Sequence, residues 1–272
     1  MKYLITGGNG FVGTFIKDSL LKDGHEVKTL GKSYANDFQV DLTLKTIIIS
    51  EDFDVIIHSA SIVHNSSHAG SINEQLIITD LEITFNFLKS IESINFQKVI
   101  FLSSVSVYGI EDGIDISIFQ PLSPKSGYGL SKCISEKLFQ QKIIPKKLLI
   151  LRLPLINGPN PKGNIKKAVN AINSGKMFLF KGNKATKSVL ELDDLYNFIV
   201  SESIKFNGIH QIKSYDIRFN DFIQALTSKR IYCLPNFILE FLLISSKAFR
   251  LNKIQRTLVK FSKDLTFLDT TK

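Results

Sequence analysis

Through the first 155 residues, short apolar runs alternate with longer stretches whose apolar positions recur at helical spacing. Candidate strands are Tyr3–Thr6, Val27–Leu30, Phe38–Val40, Val55–His58, Val99–Leu102 and Leu148–Leu153. Between the first two, Phe11, Phe15, Ile16 and Leu20 mark a helical face that stops at Gly24. The stretches 72–94 and 128–144 predict two further helices, the second ended by Pro145. Strands alternating with helices predict an α/β fold, a doubly wound parallel sheet covered on both faces. After Pro154 the pattern changes, because Asn157-Gly158-Pro159-Asn160-Pro161-Lys162-Gly163 is turn chemistry rather than an element interior. Beyond it come a helix near 164–174, a short strand, a helix opened by Asp193-Asp194, and helices rich in Phe, Leu and Lys over 235–268. The expected organisation is a sheet domain from 1–155 and 190–215, with a smaller α/β lobe from 156–189 and 216–272. That lobe is expected to close over the carboxyl ends of the strands, where ligands of open α/β sheets bind.

With 272 residues, 44% hydrophobic and 22% charged, the chain has ordinary globular composition and can bury a full core. Its net charge of +9 suits polyanionic small ligands. No basic stripe interleaved with aromatics occurs in the first 200 residues, so nucleic acid is disfavoured as a partner. Met1-Lys2 runs straight into the first strand, leaving no room for a signal peptide. Cys133 and Cys233 have neither a CxxC partner nor metal-like spacing, so reduced thiols in a cytoplasmic protein and no metal site are expected. The apolar run Phe237–Ile244 is broken by Glu240 and is too short to span a bilayer.

Gly7-Gly8-Asn9-Gly10-Phe11-Val12-Gly13 follows a strand and opens a helix. It reads as GxGxxG through Gly8 or as GxxGxxG through Gly7. Either way its glycines permit a tight turn and close approach of a pyrophosphate to the helix N-terminus, as in Rossmann folds. At the end of the second strand, Leu30-Gly31-Lys32-Ser33 offers a lysine and no acid, which favours NADP over NAD. Asp41-Leu42 offers a carboxylate to the adenine amino group, or else a helix cap. Ser104 leaves the fifth strand at its carboxyl end, and Tyr128 and Lys132 follow twenty-four and twenty-eight positions later. On a helix, Tyr128 and Lys132 share one face, where the ammonium favours the phenolate. Free tyrosine titrates near ~10, so a base at neutral pH needs a shift of roughly three units, about 4 kcal/mol of differential stabilisation. That is a large demand on one ammonium, and a positive nicotinamide ring would supply part of it.

Together the Gly7–Gly13 turn, Ser103-Ser104-Val105-Ser106-Val107-Tyr108-Gly109, Tyr128-Gly129-Leu130-Ser131-Lys132 and Leu151-Arg152-Leu153-Pro154 resemble the extended short-chain dehydrogenase/reductases, the nucleotide-sugar epimerase/dehydratase family. The resemblance covers roughly 1–200. It implies Ser104, Tyr128 and Lys132 as the catalytic triad, with Tyr128 and Lys132 also at the nicotinamide ribose. It implies a dinucleotide held by Gly7, Gly10, Phe11, Val12, Gly13, Lys32, Asp41, Leu42, Ala60 and Pro154, with His58-Ser59-Ala60-Ser61 passing under the cofactor. Ser106 and Tyr108 are expected beside the substrate. The segment from Leu151 to Asn164 is similar to the branch that makes O-antigen and capsule precursors, which implies that Asn164 contacts a sugar nucleotide. Lys187 stands where relatives often carry arginine, placed for a phosphate as a point charge. A homodimer through the 72–94 and 128–144 helices is implied by the resemblance alone. Three further departures are present. Asp80 replaces the usual Asn, Val105-Ser106 replaces the Asp-Glu pair that dehydratases use, and the chain stops shortly after the stretch that resembles the late helix.

The reading that follows is a hydride and proton transfer at C4 of a nucleoside-diphosphate sugar. A 4-keto-sugar reductase using NADPH is preferred, on Lys32 and the missing acid, to a 4-epimerase holding NAD. A steroid-type alcohol is opposed by the basic balance and by Lys162-Gly163-Asn164. A redox-sensing module without catalysis has no reason to keep the triad. The apolar-basic segment Phe237–Lys263 fits packing into its own lobe or, less commonly, an anionic membrane surface.

Overall fold

The computed structural model describes residues 1–62, 74–161, 163–175, 178–229, 231–248, 258–259 and 262–271, with the side chains of 163, 164 and 248 excepted. In chain order the elements are β1 (Lys2–Thr6), α1 (Phe11–Lys22), β2 (Glu26–Gly31), β3 (Phe38–Gln39), β4 (Phe53–His58), α2 (Glu74–Ser90) and β5 (Phe96–Ser104). A short 3₁₀ turn, Val105–Tyr108, leads to β6 (Gly113–Ile116), α3 (Gly127–Lys142), β7 (Leu148–Leu153), β8 (Leu155–Asn157) and α4 (Gly163–Asn173). Then come β9 (Phe178–Lys181), β10 (Thr186–Glu191), α5 (Leu192–Ser201), β11 (Gly208–Gln211), β12 (Tyr215–Arg218), α6 (Phe219–Ala225), β13 (Tyr232–Pro235), α7 (Asn236–Ala248) and β14 (Leu265–Phe267).

Seven strands form one all-parallel sheet in the order β11-β7-β5-β4-β1-β2-β3. Its apolar runs are continuous because both faces are covered. Tyr3 and Ile5 of β1, Val55 and Ile57 of β4, and Leu149 and Leu151 of β7 point to one side, against Ile16 and Leu20 of α1 and Leu195 and Ile199 of α5. Leu4, Ile56, Val99, Phe101 and Ile150 point to the other, against Phe87 and Leu88 of α2 and Phe139 of α3. This is the doubly wound Rossmann arrangement expected from the sequence. All six expected strands are present, and β11 adds a seventh.

A second sheet, β12-β10-β14-β6 with β8 alongside β10, and the β13-β9 pair lie outside the main sheet. A separate apolar cluster of Ile165, Ile172, Leu179, Val189, Phe222, Ile223 and Ile231 packs α4 and α6 there. β6 enters this second sheet from the first half of the chain. The expected helix from 128 to 144 begins one residue earlier, where Ser126 Oγ accepts from Gly129 N at 3.1 Å. The start of the expected 72–94 helix lies outside the described residues. The expectation of helix over 235–268 holds for α7 but is corrected at Leu265–Phe267, which is strand because it pairs with β6 and β10. Much of the stretch between lies outside the described residues. Among the described residues no helix is long and apolar enough to cross a membrane, and no group of three or more potential ligands could hold a metal ion.

Candidate active site

The first βα turn is fixed by backbone contact. Gly7 has φ of +71°, and a Cβ there would lie 2.8 Å from Ala60 N; one on Gly13 would lie 2.2 Å from Gly7 O. The turn is thereby seated on the chain leaving β4, and α1 is seated on the turn. Gly10 caps α1 without a side chain, and no acid occupies the first helical turn. The amides of that end therefore remain available to an anion. A cleft of about 570 Å³ opens there along the carboxyl ends of the strands. Gly7, Gly10, Phe11, Val12, Lys32, Asp41, Leu42, Ala60, Tyr128, Lys132 and Pro154 all line it. Gly13 does not, since it lies beneath the turn. Uncapped amides, an apolar wall, one carboxylate and two lysines form a donor set that fits a dinucleotide.

At the far end of the cleft, Lys32 Nζ lies 2.8 Å from Asp41 Oδ2. Hydrogen bonds from Lys32 and Thr43 hold the Asp41 carboxyl down at about 2. The two residues that the sequence assigned to different parts of a cofactor are thus bound to each other.

At the near end, α3 brings Tyr128 to Ser104, whose hydrogen bond pulls the phenol's pKa down. Burial, reinforced by the Asp80 charge, outweighs that bond and pushes Tyr128 up to about 12. A phenol brought down towards neutral pH by Lys132 is therefore not what the protein without a cofactor holds. Lys132 Nζ stands 5.8 Å from the centroid of the Tyr128 ring and 4.8 Å from that of Phe101. Its own pKa is lowered by burial, against the pull of Asp80 and Glu136. Ser104 Oγ also lies 2.8 Å from Ser106 Oγ and accepts from Ser106 N at 3.2 Å. Close approach of α3 to this turn requires Gly129, where a Cβ would meet Ser106 O at 2.5 Å.

Two buried carboxylates, Asp80 and Glu136, hold α3 against its neighbours, and the sequence reading gives Glu136 no role. Asp80 Oδ1 accepts from Ser61 Oγ and Ile62 N, both at 2.8 Å, while Oδ2 accepts from Ser131 Oγ at 2.7 Å. It bridges the chain after β4 to the helix carrying Tyr128 and Lys132. Glu136, one helical turn beyond Lys132, accepts from Ser103 Oγ at 2.6 Å, Arg152 Nε at 3.0 Å and Arg152 Nη2 at 2.7 Å. Arg152 Nη1 donates to Tyr108 Oη at 3.0 Å, and Tyr108 donates in turn to Gln211 Oε1 at 2.6 Å. Tyr108, expected beside a substrate, thus points into the core and does not line the cleft. Lys187 is likewise turned away, donating to Lys263 O at 2.6 Å. The side chain of Asn164 lies outside the described residues.

Residues 3–201 match the NAD dependent epimerase/dehydratase family. The UDP-glucose 4-epimerase of Lactobacillus helveticus is 27% identical over 183 residues, covering 61% of this chain and 54% of that protein. The N-acetyl-alpha-D-glucosaminyl-diphospho-ditrans,octacis-undecaprenol 4-epimerase of Escherichia coli O157:H7 is 23% identical over 248 residues, 83% of this chain and 72% of that one. Among solved structures, UDP-glucuronic acid 4-epimerase from Bacillus cereus, in complex with UDP-glucuronic acid and NAD, superposes with a TM-score of 0.67 at 22% identity, covering 86% of each chain. The match to the Lactobacillus protein spans only about half of that relative's length. The sheet order, the glycine turn and the match over 3–201 lead to one conclusion: the chain belongs to the NAD dependent epimerase/dehydratase family, a family of enzymes.

Proposed function

We propose that the protein is an NAD-using 4-epimerase of a nucleoside-diphosphate sugar. Ser104, Tyr128 and Lys132 are its catalytic residues. Segments 1–155 and 190–215 hold the dinucleotide, and 156–189 with 216–272 form the substrate lobe. The reading is carried by Tyr128 and Lys132, which line the cleft one helical turn apart, with Ser104 close enough to Tyr128 to pull its pKa down. Bound there, the dinucleotide would accept and return a hydride. The chain's own task is the proton: Tyr128 Oη takes it from the sugar hydroxyl and later restores it, while Ser104 holds that oxygen. A phenol lifted to about 12 is a poor base, so positive charge brought by the oxidised cofactor is part of the reading.

The preference between NAD and NADP turns on Lys32. With its ammonium engaged by Asp41, it offers a 2′-phosphate a partly neutralised partner, which favours NAD and, with the named relatives, epimerisation. Reduction of a 4-keto sugar by NADPH is the second reading. It is favoured by the retained proton of Tyr128, which suits a general acid. The undecaprenol-linked substrate named for one relative supports a place in surface-polysaccharide precursor synthesis. Dimerisation through α2 and α3 belongs to the same proposal, with Ile78 and Phe85 exposed on α2. A cytoplasmic setting rests on the free thiols Cys133 and Cys233.

The test is incubation with NAD and UDP-glucose or UDP-N-acetylglucosamine, followed by NMR of the sugar. Interconversion of the C4 epimers supports the proposal. Oxidation of NADPH by a UDP-4-keto sugar without epimerisation transfers the assignment to the reductase. Inertness in both assays defeats the C4 assignment.

A further inference from the structure

α7 has two apolar faces. One packs Leu239 against Phe180 of β9, with Leu243 beside it. The other presents Phe237, Phe241 and Ile244 at i, i+4 and i+7, exposed by 68%, 67% and 69%. Phe178 and Tyr232 extend the apolar surface. They are paired in register on the β9–β13 ribbon, and Phe178 shares a strand face with Phe180, the face that α7 covers. A stripe at helical spacing, continued by exposed aromatics, is not the scattered exposure usual on a monomer.

The charge of the segments that form the lobe is one-sided. Segments 156–189 and 216–272 hold seventeen Lys and Arg against five Asp and Glu, and the remainder holds seventeen against twenty. From Phe237 to Lys263 the sequence has six basic residues and one acid, Glu240, whose Oε1 accepts from Asn236 Nδ2 at 2.9 Å. All the excess positive charge of the protein thus sits in the segments that carry the apolar stripe.

We infer that the lobe docks through α7 on an anionic phospholipid surface. Phe237, Phe241 and Ile244 enter the boundary between headgroups and acyl chains, and Lys247, exposed near the end of α7, meets the headgroup phosphates. Pairing with a second copy through the same face would bring two like-charged lobes together, which opposes that occupant. Nucleic acid would use the charge but not the aliphatic and aromatic stripe.

The test is co-sedimentation of the full chain with vesicles of phosphatidylglycerol and phosphatidylcholine, and with phosphatidylcholine alone, at physiological salt. Wild type pellets with the anionic vesicles at least about tenfold more strongly, and ~1 M salt weakens it. The triple variant Phe237→Ser, Phe241→Ser, Ile244→Ser loses about tenfold or more while still binding NAD. Because the chain has no tryptophan, Phe241→Trp supplies a single reporter that does not depend on the triple variant folding. Its emission shifts to the blue on anionic vesicles. Wild type left in the supernatant, a triple variant that pellets unchanged, an unshifted emission spectrum from the Phe241→Trp variant, or a dimer that the triple variant abolishes without vesicle binding each overturn the inference.

Discussion

In the sheet half, charged groups are buried and hydrogen-bonded: Glu136, Arg152, Lys98 and Asp80 are each no more than 4% exposed, Glu136 pairs with Arg152, and Lys98 and Asp80 are held by neutral backbone and side-chain partners. In the lobe, the Arg218–Asp221 ion pair lies nearer the surface, and basic residues outnumber acids by more than three to one. The difference assigns two roles to charge. Inside the sheet half it fixes geometry, tying α3 to β5 and β7 so that Tyr128 meets Ser104. Outside, on the lobe, it sets the sign of what the protein can approach.

The largest effect is expected where the fixed geometry meets the chemistry. Tyr128→Phe lowers kcat by about 10²–10⁴-fold while NAD binding, followed by calorimetry, persists. Loss of cofactor binding in that variant would mean that Tyr128 holds ligand rather than moving a proton. Next comes the buried network. Glu136→Gln leaves Arg152 without its counter-charge and costs about 3–5 kcal/mol in urea denaturation. Arg218→Ala in the lobe costs no more than about 1 kcal/mol. Equal losses would erase the contrast between the two regions. The smallest effect sharpens cofactor choice: Asp41→Asn frees Lys32 and raises affinity for NADP relative to NAD by several-fold, read by calorimetry with each nucleotide (one ion pair of ~1 kcal/mol). An unchanged ratio would remove Lys32 from the selectivity argument.

Much of the sheet half was legible because its signals are local. Continuous apolar runs mark strands covered on both faces, a glycine turn marks the first crossover, and a Tyr-x-x-x-Lys spacing marks a helix face. β11 carries no strand signal of its own because Gly208-Ile209-His210-Gln211 mixes polar and apolar residues, and its pairing with β7 alone makes it a strand. Asp80 departs visibly from the family pattern, but its bridging role depends on Ser61 and Ser131, which lie far from it in sequence. The family resemblance implies Tyr108 beside the substrate. The 3₁₀ turn after Ser104 sends its ring inward instead, to Arg152 and Gln211. The Lys32–Asp41 pair joins the ends of two neighbouring strands, a contact that spacing does not encode. The lobe's short strands lack apolar runs long enough to announce themselves.

The proton of Tyr128 is the point on which the catalytic account rests. Ultraviolet titration of tyrosinate in wild type against Tyr128→Phe isolates it, with and without saturating NAD. Raised above its unfolded value, the phenol favours the folded state below pH ~10, and that contribution fades as pH rises through the folded pKa. The account predicts a midpoint at about 12 without cofactor, and a clear fall when NAD is bound. A midpoint near the ordinary tyrosine value without cofactor, or one that NAD leaves in place, would contradict it.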